Sequence, residues 1–187
     1  MSGTLIGSLA LGDGRRFEVA LADLLAESTD CIVNAANGRL AHGGGVAAAI
    51  ADAAGPELVD EGDRIVEERG RIDTGGAVMT CAGRLPFKAV IHAVGPRLGE
   101  GDEESKLARA LASSFSIAAR QRFESISFPA VSSGIFAVPP DVCVRAYLRA
   151  VRGHWSSTPG SPLKLIRLCL FEGEVARLIV TELAEGR

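Results

Sequence analysis

Cys31-Ile32-Val33-Asn34-Ala35-Ala36-Asn37 runs through Gly38 to Ala41 into His42-Gly43-Gly44-Gly45-Val46-Ala47-Ala48-Ala49-Ile50. The apolar start, β-branched at Ile32 and Val33, opens a strand after the turn-like Ser28-Thr29-Asp30. Residues 34–45, rich in Gly and Asn, read as a loop. The Ala-rich run 46–54 reads as a helix stopped by Gly55-Pro56, and Pro56 suits the first turn of another helix over 57–69. A strand, a glycine-rich loop and a helix form the unit from which an α/β sheet is wound, so this stretch decides the fold class.

Outward from it, residues 5–11 and 15–21 are strand-like, and Asp13-Gly14 between them signals a hairpin because both residues tolerate positive φ. Strands are predicted over 77–82 and 89–94, the second almost continuously apolar, as in a strand covered on both faces. Residues 103–122 have helical spacing, with Leu107, Leu111, Phe115 and Ala118 on one side. A strand over 125–131 and a loop over 132–138 follow, and Pro139-Pro140-Asp141 starts a helix to about His154. Turn residues over 156–162 lead to a last strand, 163–171, and a last helix, 174–185. This alternation predicts an α/β fold of three layers, α/β/α, with a mixed central sheet, as one domain over 1–187. In such sheets ligands bind outside the carboxyl ends of the strands. The loops 34–45 and 132–138 and the stretch after Phe171 leave those ends, so they are expected to converge on one cleft.

The composition fits. The chain has 187 residues, 47% hydrophobic and 23% charged, a length at which one domain buries roughly two-thirds to three-quarters of the unfolded surface. Met1-Ser2-Gly3-Thr4 carries no basic residue, and no apolar run suits a signal peptide or a membrane span, so a cytoplasmic location and no membrane partner are expected. Cys31, Cys81, Cys143 and Cys169 form no CxxC and read as buried free thiols. With three scattered histidines, no zinc site is expected. A net charge of −3 and a pI near 5.7 argue against non-specific nucleic-acid binding. Arg145, Arg149 and Arg152 share one helix face, read as solvated. No coiled-coil pattern or apolar surface stripe is visible, so a monomer is expected.

Gly43-Gly44-Gly45 lets backbone approach a ligand without Cβ clashes, and the helix that follows adds free N–H groups and partial positive charge. Together these make a phosphate site that needs no lysine, whereas the bland reading is a flexible connector. Gly43-x-Gly45-x-x-Ala48 also fits a loose dinucleotide fingerprint, but its glycines begin well after the strand ends, unlike the tight Rossmann turn. No GxxxxGK[ST] is present, which excludes a Walker-type NTPase. Ser132, in Ala130-Val131-Ser132-Ser133-Gly134, vaguely suggests a nucleophile elbow with Asp141 and His154 as partners. The elbow needs a helix immediately after the serine, yet the helix signal waits for Pro139, and the same residues fit a second set of phosphate-binding amides.

Four stretches in order carry a resemblance: Ile32-Val33-Asn34-Ala35-Ala36-Asn37, Gly43-Gly44-Gly45-Val46, Val90-Ile91-His92-Ala93-Val94-Gly95-Pro96 and Phe128-Pro129-Ala130-Val131-Ser132-Ser133-Gly134-Ile135-Phe136. They resemble the successive signatures of macro domains over about residues 17–185. The resemblance implies ADP-ribose bound across the carboxyl edge of a mixed sheet, with no cofactor and no metal. Asp23 would accept from the adenine amino group and Leu24 would offer its N–H, although Asp23 also reads as an N-cap and the two roles are compatible. Phe171 would stack on adenine, or else cap the core as a buried ring. The diphosphate would lie between Gly44-Gly45-Val46 and Ser132-Ser133-Gly134-Ile135-Phe136, with Phe136 beside the ribose nearest the attachment point. Ala137 stands where a glycine is common, so the loop is expected to be less adaptable. Asn37 would contact the distal ribose, or serve as a turn residue. His42 is a further ligand candidate against the bland reading of a solvated loop residue, whereas Asn34 and His92 read as structural.

The resemblance also bears on catalysis. A hydrolysing branch of the family has aspartate directly after GGGV, where this chain has Ala47. That departure removes the obvious general base. Members with alanine there are thought to hydrolyse mono-ADP-ribosyl esters by holding a water, and that work would fall to Asn37 and Gly44. The expected function is ADP-ribose binding with hydrolysis of mono-ADP-ribose esters on acidic residues of proteins, or of O-acetyl-ADP-ribose. The alternative is a non-catalytic reader of ADP-ribosylated proteins.

Overall fold

In a computed structural model, which describes residues 3–11 and 13–186, β1 (Thr4–Ala10) and β2 (Arg16–Leu21) form the expected opening hairpin. The expected domain ends at Met1, Ser2 and Arg187 lie outside the described residues. The sheet continues with β3 (Cys31–Ala36), β4 (Ala77–Thr80), β5 (Ala89–Val94), β6 (Ser125–Phe128) and β7 (Leu165–Leu170). Their order is β1-β2-β7-β6-β3-β5-β4. The five inner strands are parallel and the two edge strands antiparallel to their neighbours, so the sheet is mixed.

Parallel pairing places the carboxyl ends of β2, β7, β6, β3 and β5 along one edge. That edge therefore receives Asp23 after β2, Phe171 after β7, Ser132 after β6, Asn37 after β3 and Gly95 after β5.

Helices α1 (Gly45–Ala54) and α2 (Pro56–Arg69) cover one face. Helices α3 (Glu103–Arg120), α4 (Pro140–Ser157) and α5 (Glu174–Ala184) cover the other. Alternation along β3 feeds both layers, because successive side chains point to opposite faces. Ile32 packs with Ile50 and Leu58 under α1 and α2. Val33 joins Leu107, Phe115 and Tyr147 under α3 and α4.

Among the boundaries that differ from expectation, three have a plain physical cause. β3 continues through Asn34 to Ala36, because Asn34 is in register with His92 and its side-chain amide meets the imidazole Nδ1 at 3.0 Å. A polar residue satisfied across the sheet need not leave it. β6 stops at Phe128, since Pro129 has no N–H for the ladder. α4 runs on to Ser157, held by Trp155, which is buried and donates from Nε1 to the Leu163 carbonyl at 3.2 Å.

Cys31, Cys143 and Cys169 are buried free thiols, but Cys81 is exposed, because it follows the last residue of β4. No group of three metal-ligating side chains occurs among the described residues, and no helix of theirs is long and apolar enough to cross a membrane. On the face of α4, Arg145 pairs with Glu104 and Asp141, each at 2.8 Å, in a solvated setting where such pairs contribute little.

Candidate functional site

The carboxyl edge of the sheet carries a cleft of two lobes. One, of about 500 Å³, is lined by Asp23, Leu24, Ser133, Cys169 and Phe171 among others. The other, of about 370 Å³, is lined by Asn37, Gly43 to Ala47, Arg97, Ser132 and Gly134 to Phe136 among others. Gly45, Val46 and Ala130 line both, so the lobes meet at the start of α1 and the exit of β6.

The first turn of α1 has no side-chain cap: Gly44 is its N-cap, and Gly45 adopts φ +60°. A left-handed position favours glycine, and the uncapped turn leaves N–H groups directed into the cleft mouth. The amides and the helix dipole make an anion site without a basic side chain. Across the gap stands Ile135: a Cβ built on Gly44 would lie 3.6 Å from its Cδ1, so backbone and side chain meet at contact distance.

Asn37 lines the smaller lobe while organising its own loop. Its Oδ1 accepts from Arg39 N at 3.0 Å and Ala41 N at 3.3 Å, and its Nδ2 donates to the Ala41 carbonyl at 2.7 Å. The turn role is therefore present, and the remaining amide hydrogen is available to a ligand.

His42 turns inward. It lines neither lobe, its ring packs edge-on against His92 at 5.9 Å between centroids, and its Nδ1 is buried without a partner. Burial lowers its pKa. His92 is a satisfied core histidine: Thr80 Oγ1 donates to the Cys81 carbonyl and so accepts from His92 Nε2, at 2.8 Å. That leaves Nδ1 to accept from Asn34, and fixes a neutral ring whose pKa burial pushes down to about 3.

The second loop turns Ser132 away from solvent. Ser132 is 4% exposed at φ +69°, and its hydroxyl rests against Gly95 with no hydrogen-bond partner. The supposed triad does not assemble. Asp141 pairs with Arg145, and His154 Nε2 bonds Ser161 Oγ at 3.0 Å in the layer of α3 and α4. Ser133 is tied to the Ala130 carbonyl through its hydroxyl at 2.8 Å. Ala137 sits at φ +54°, so the loop keeps the left-handed turn that a glycine would favour, and closes it with a 2.9 Å bond from Ala137 N to the Gly134 carbonyl.

In the larger lobe, Asp23 Oδ1 accepts from Leu25 N at 2.9 Å, capping a 3-10 turn over Leu24–Ala26. Its other oxygen is available, and Leu24 is buried. Phe171 is 81% exposed, which excludes the core-capping alternative and presents its ring to the lobe.

Two contributors escaped the sequence reading. Gly95 is the floor on which Ser132 rests. Arg97, just beyond Gly95-Pro96, lines the smaller lobe with its Cζ 4.7 Å from the Phe136 ring centroid. The readable signal would have been a cation directly after a Gly-Pro at a strand end.

A bilobed cleft on the carboxyl edge of a mixed sheet, with amides at its waist, defines an α/β module for an elongated ligand with an anionic centre. The family model for the macro domain matches residues 33–147. The chain belongs to the macro domain family. An uncharacterized protein of Thermotoga maritima is 42% identical, covering 88% of this chain, and the chain spans 28% of its length. An O-acetyl-ADP-ribose deacetylase of Klebsiella pneumoniae is 39% identical, with 86% of this chain and 92% of that protein covered. An Oceanobacillus iheyensis macrodomain with ADP superimposes with a TM-score of 0.85 at 28% identity, covering 96% of this chain and 98% of that one.

Proposed function

We propose that this chain, acting as a single domain and a cytoplasmic monomer, binds ADP-ribose and hydrolyses mono-ADP-ribose esters, on acidic side chains of proteins or in O-acetyl-ADP-ribose. The observation that carries the reading is the meeting of two lobes at Gly45, Val46 and Ala130. Adenine fits the lobe of Asp23, Leu24 and Phe171. The diphosphate fits the waist, held by Gly44, Gly45 and Val46 from one side and by the Ser132–Phe136 loop from the other. The distal ribose fits the lobe of Asn37 and Phe136. The deacetylase name of the Klebsiella relative and the ADP held by the Oceanobacillus neighbour support it.

The chemistry assigned to the distal lobe is positioning. Ala47, 6% exposed, supplies no carboxylate, and the described residues lining this lobe include no Asp, Glu or His. Asn37 and the Gly44 backbone would hold water against the ester, and orientation of that kind supplies several kcal/mol. A released carboxylate leaves without a strong acid. The same lack of a general base favours the second reading, a non-catalytic reader of ADP-ribosylated proteins.

The test is incubation with an auto-mono-ADP-ribosylated protein modified on acidic residues, beside Asn37→Ala, with ADP-ribose calorimetry on both. Label lost only with the unaltered chain establishes the hydrolase. Label retained with ADP-ribose bound makes the chain a reader. No binding at all overturns the proposal.

A further inference from the structure

Among the described residues, Arg97 is the one charged residue lining the smaller lobe. Its place is fixed from two sides. It follows β5 and the buried Gly95-Pro96, and the next residue, Leu98, donates its N–H to the Phe136 carbonyl at 2.8 Å. The guanidinium lies over the Phe136 ring, 4.7 Å from the centroid. Stacking covers one face of the guanidinium and leaves the N–H fork at its edge open. No carboxylate among the described residues forms an ion pair with it. Two of the nearest acids in sequence, Glu100 and Glu103, are engaged elsewhere. Glu103 Oε1 accepts from Gly99 N and Gly101 N, and Glu100 Oε2 accepts from Thr74 Oγ1.

A stacked, exposed guanidinium with an open fork fits a carboxylate by two parallel hydrogen bonds. The guanidinium is stacked on Phe136, the residue placed beside the distal ribose, and it does not line the waist of Gly45, Val46 and Ala130 where the two lobes meet. Resting on the function proposed above, what lies beyond the distal ribose is the modified polypeptide. Exposed Ile135 lines the same lobe and exposed Leu98 follows Arg97 in the chain, which gives that polypeptide apolar surface beside the cation.

We propose that Arg97, stacked on Phe136, is a specificity-determining residue that takes a carboxylate neighbouring the attachment point, so that the substrate class is ADP-ribose carried on an acidic peptide segment. Because the chain itself is net negative, at −3, it repels acidic segments in general. The Arg97 cation at this mouth therefore selects register as well as charge.

The experiment measures binding of two peptides carrying ADP-ribose through a hydrolysis-resistant linkage, one flanked by glutamates and one by lysines, beside free ADP-ribose. The unaltered chain is expected to favour the acidic peptide roughly five- to tenfold, a ratio typical of an exposed pair gained plus a repulsion avoided. Arg97→Ala abolishes the preference and Arg97→Glu reverses it, each preference being read as the ratio of that variant's affinities for the two peptides. An unchanged preference in both variants overturns the inference. So does an equal loss of affinity for free ADP-ribose, which would assign the guanidinium to the diphosphate. Failure of the unaltered chain to bind free ADP-ribose instead sinks the function on which the inference rests.

Discussion

The hydroxyl of Ser132 rests directly on the α-carbon of Gly95, so that a Cβ built there would overlap it. The exit of β5 thus supports the second loop from beneath, where Ser132 sits at φ +69°. Gly95→Ala is expected to destabilise the fold by about 1–3 kcal/mol, the usual cost of overpacking, and to weaken ADP-ribose binding by displacing the loop. Ser132→Gly in the same chain removes the clashing hydroxyl and suits the left-handed backbone, so it restores most of both. Thermal unfolding and calorimetry on the single and double variants decide the matter; no recovery would move the conflict to Val131, whose Cγ1 stands 3.0 Å from the same Cβ position.

Phe171 separates binding from stability. Its ring is exposed and contributes little to the core, so Phe171→Ala should change unfolding free energy by less than about 0.5 kcal/mol. If the ring stacks on adenine, the same change costs about 1–3 kcal/mol of ADP-ribose affinity. Equal affinities for the variant and the unaltered chain would place the base elsewhere.

Asp23 has two duties that one substitution cannot separate. Asp23→Ala removes both the cap to Leu25 N and the proposed adenine acceptor, with about 1–3 kcal/mol of affinity lost. Asp23→Asn keeps a capping oxygen but replaces the anion, so unfolding stays near that of the unaltered chain while affinity still falls. Calorimetry and thermal unfolding on both variants test this. An Asn variant that binds normally would show that the cap alone mattered.

The sequence made the framework legible wherever burial was one-sided or complete. β5 matches its expected range because all six residues are buried, and a covered strand reads as an unbroken apolar run. β3 was cut short at Asn34 because periodicity cannot see a partner 58 residues away across the sheet. The same limit hid the orientation of loop side chains. His42 and Ser132 stand in loops that reach the cleft, yet each turns inward onto a residue from β5 or its exit, His92 or Gly95. Phe171 is ambiguous in sequence for the converse reason: whether a ring after the last strand is covered depends on what passes over it, and here it is left exposed by the described residues.

His92 sets the response to acid. The ring is fully buried, neutral and bonded at both nitrogens, to Asn34 and Thr80. Burial, with a smaller contribution from neighbouring His42, lowers its pKa from 6.5 to about 3. The unfolded chain keeps a value near the ordinary one, so between about pH 6.5 and pH 3 it binds a proton that the folded chain refuses. Stability from this group is therefore complete above about pH 6.5 and is lost as pH falls toward 3, at about 1.4 kcal/mol per pH unit. His42 and His154, both also lowered by burial, add in the same direction. Urea unfolding at pH 5, 6 and 7 should show the decline before most carboxylates titrate. His92→Gln should reduce the slope by about one proton while lowering stability at pH 7, because the amide cannot charge but fits the polar pair imperfectly. Imidazole resonances supply the independent reading: His92 should remain neutral, with its proton on Nε2, at pH 5. A ring that titrates between pH 6 and 7 would show that the Asn34–His92–Thr80 chain opens in solution, and the acid response would then have to come from other groups.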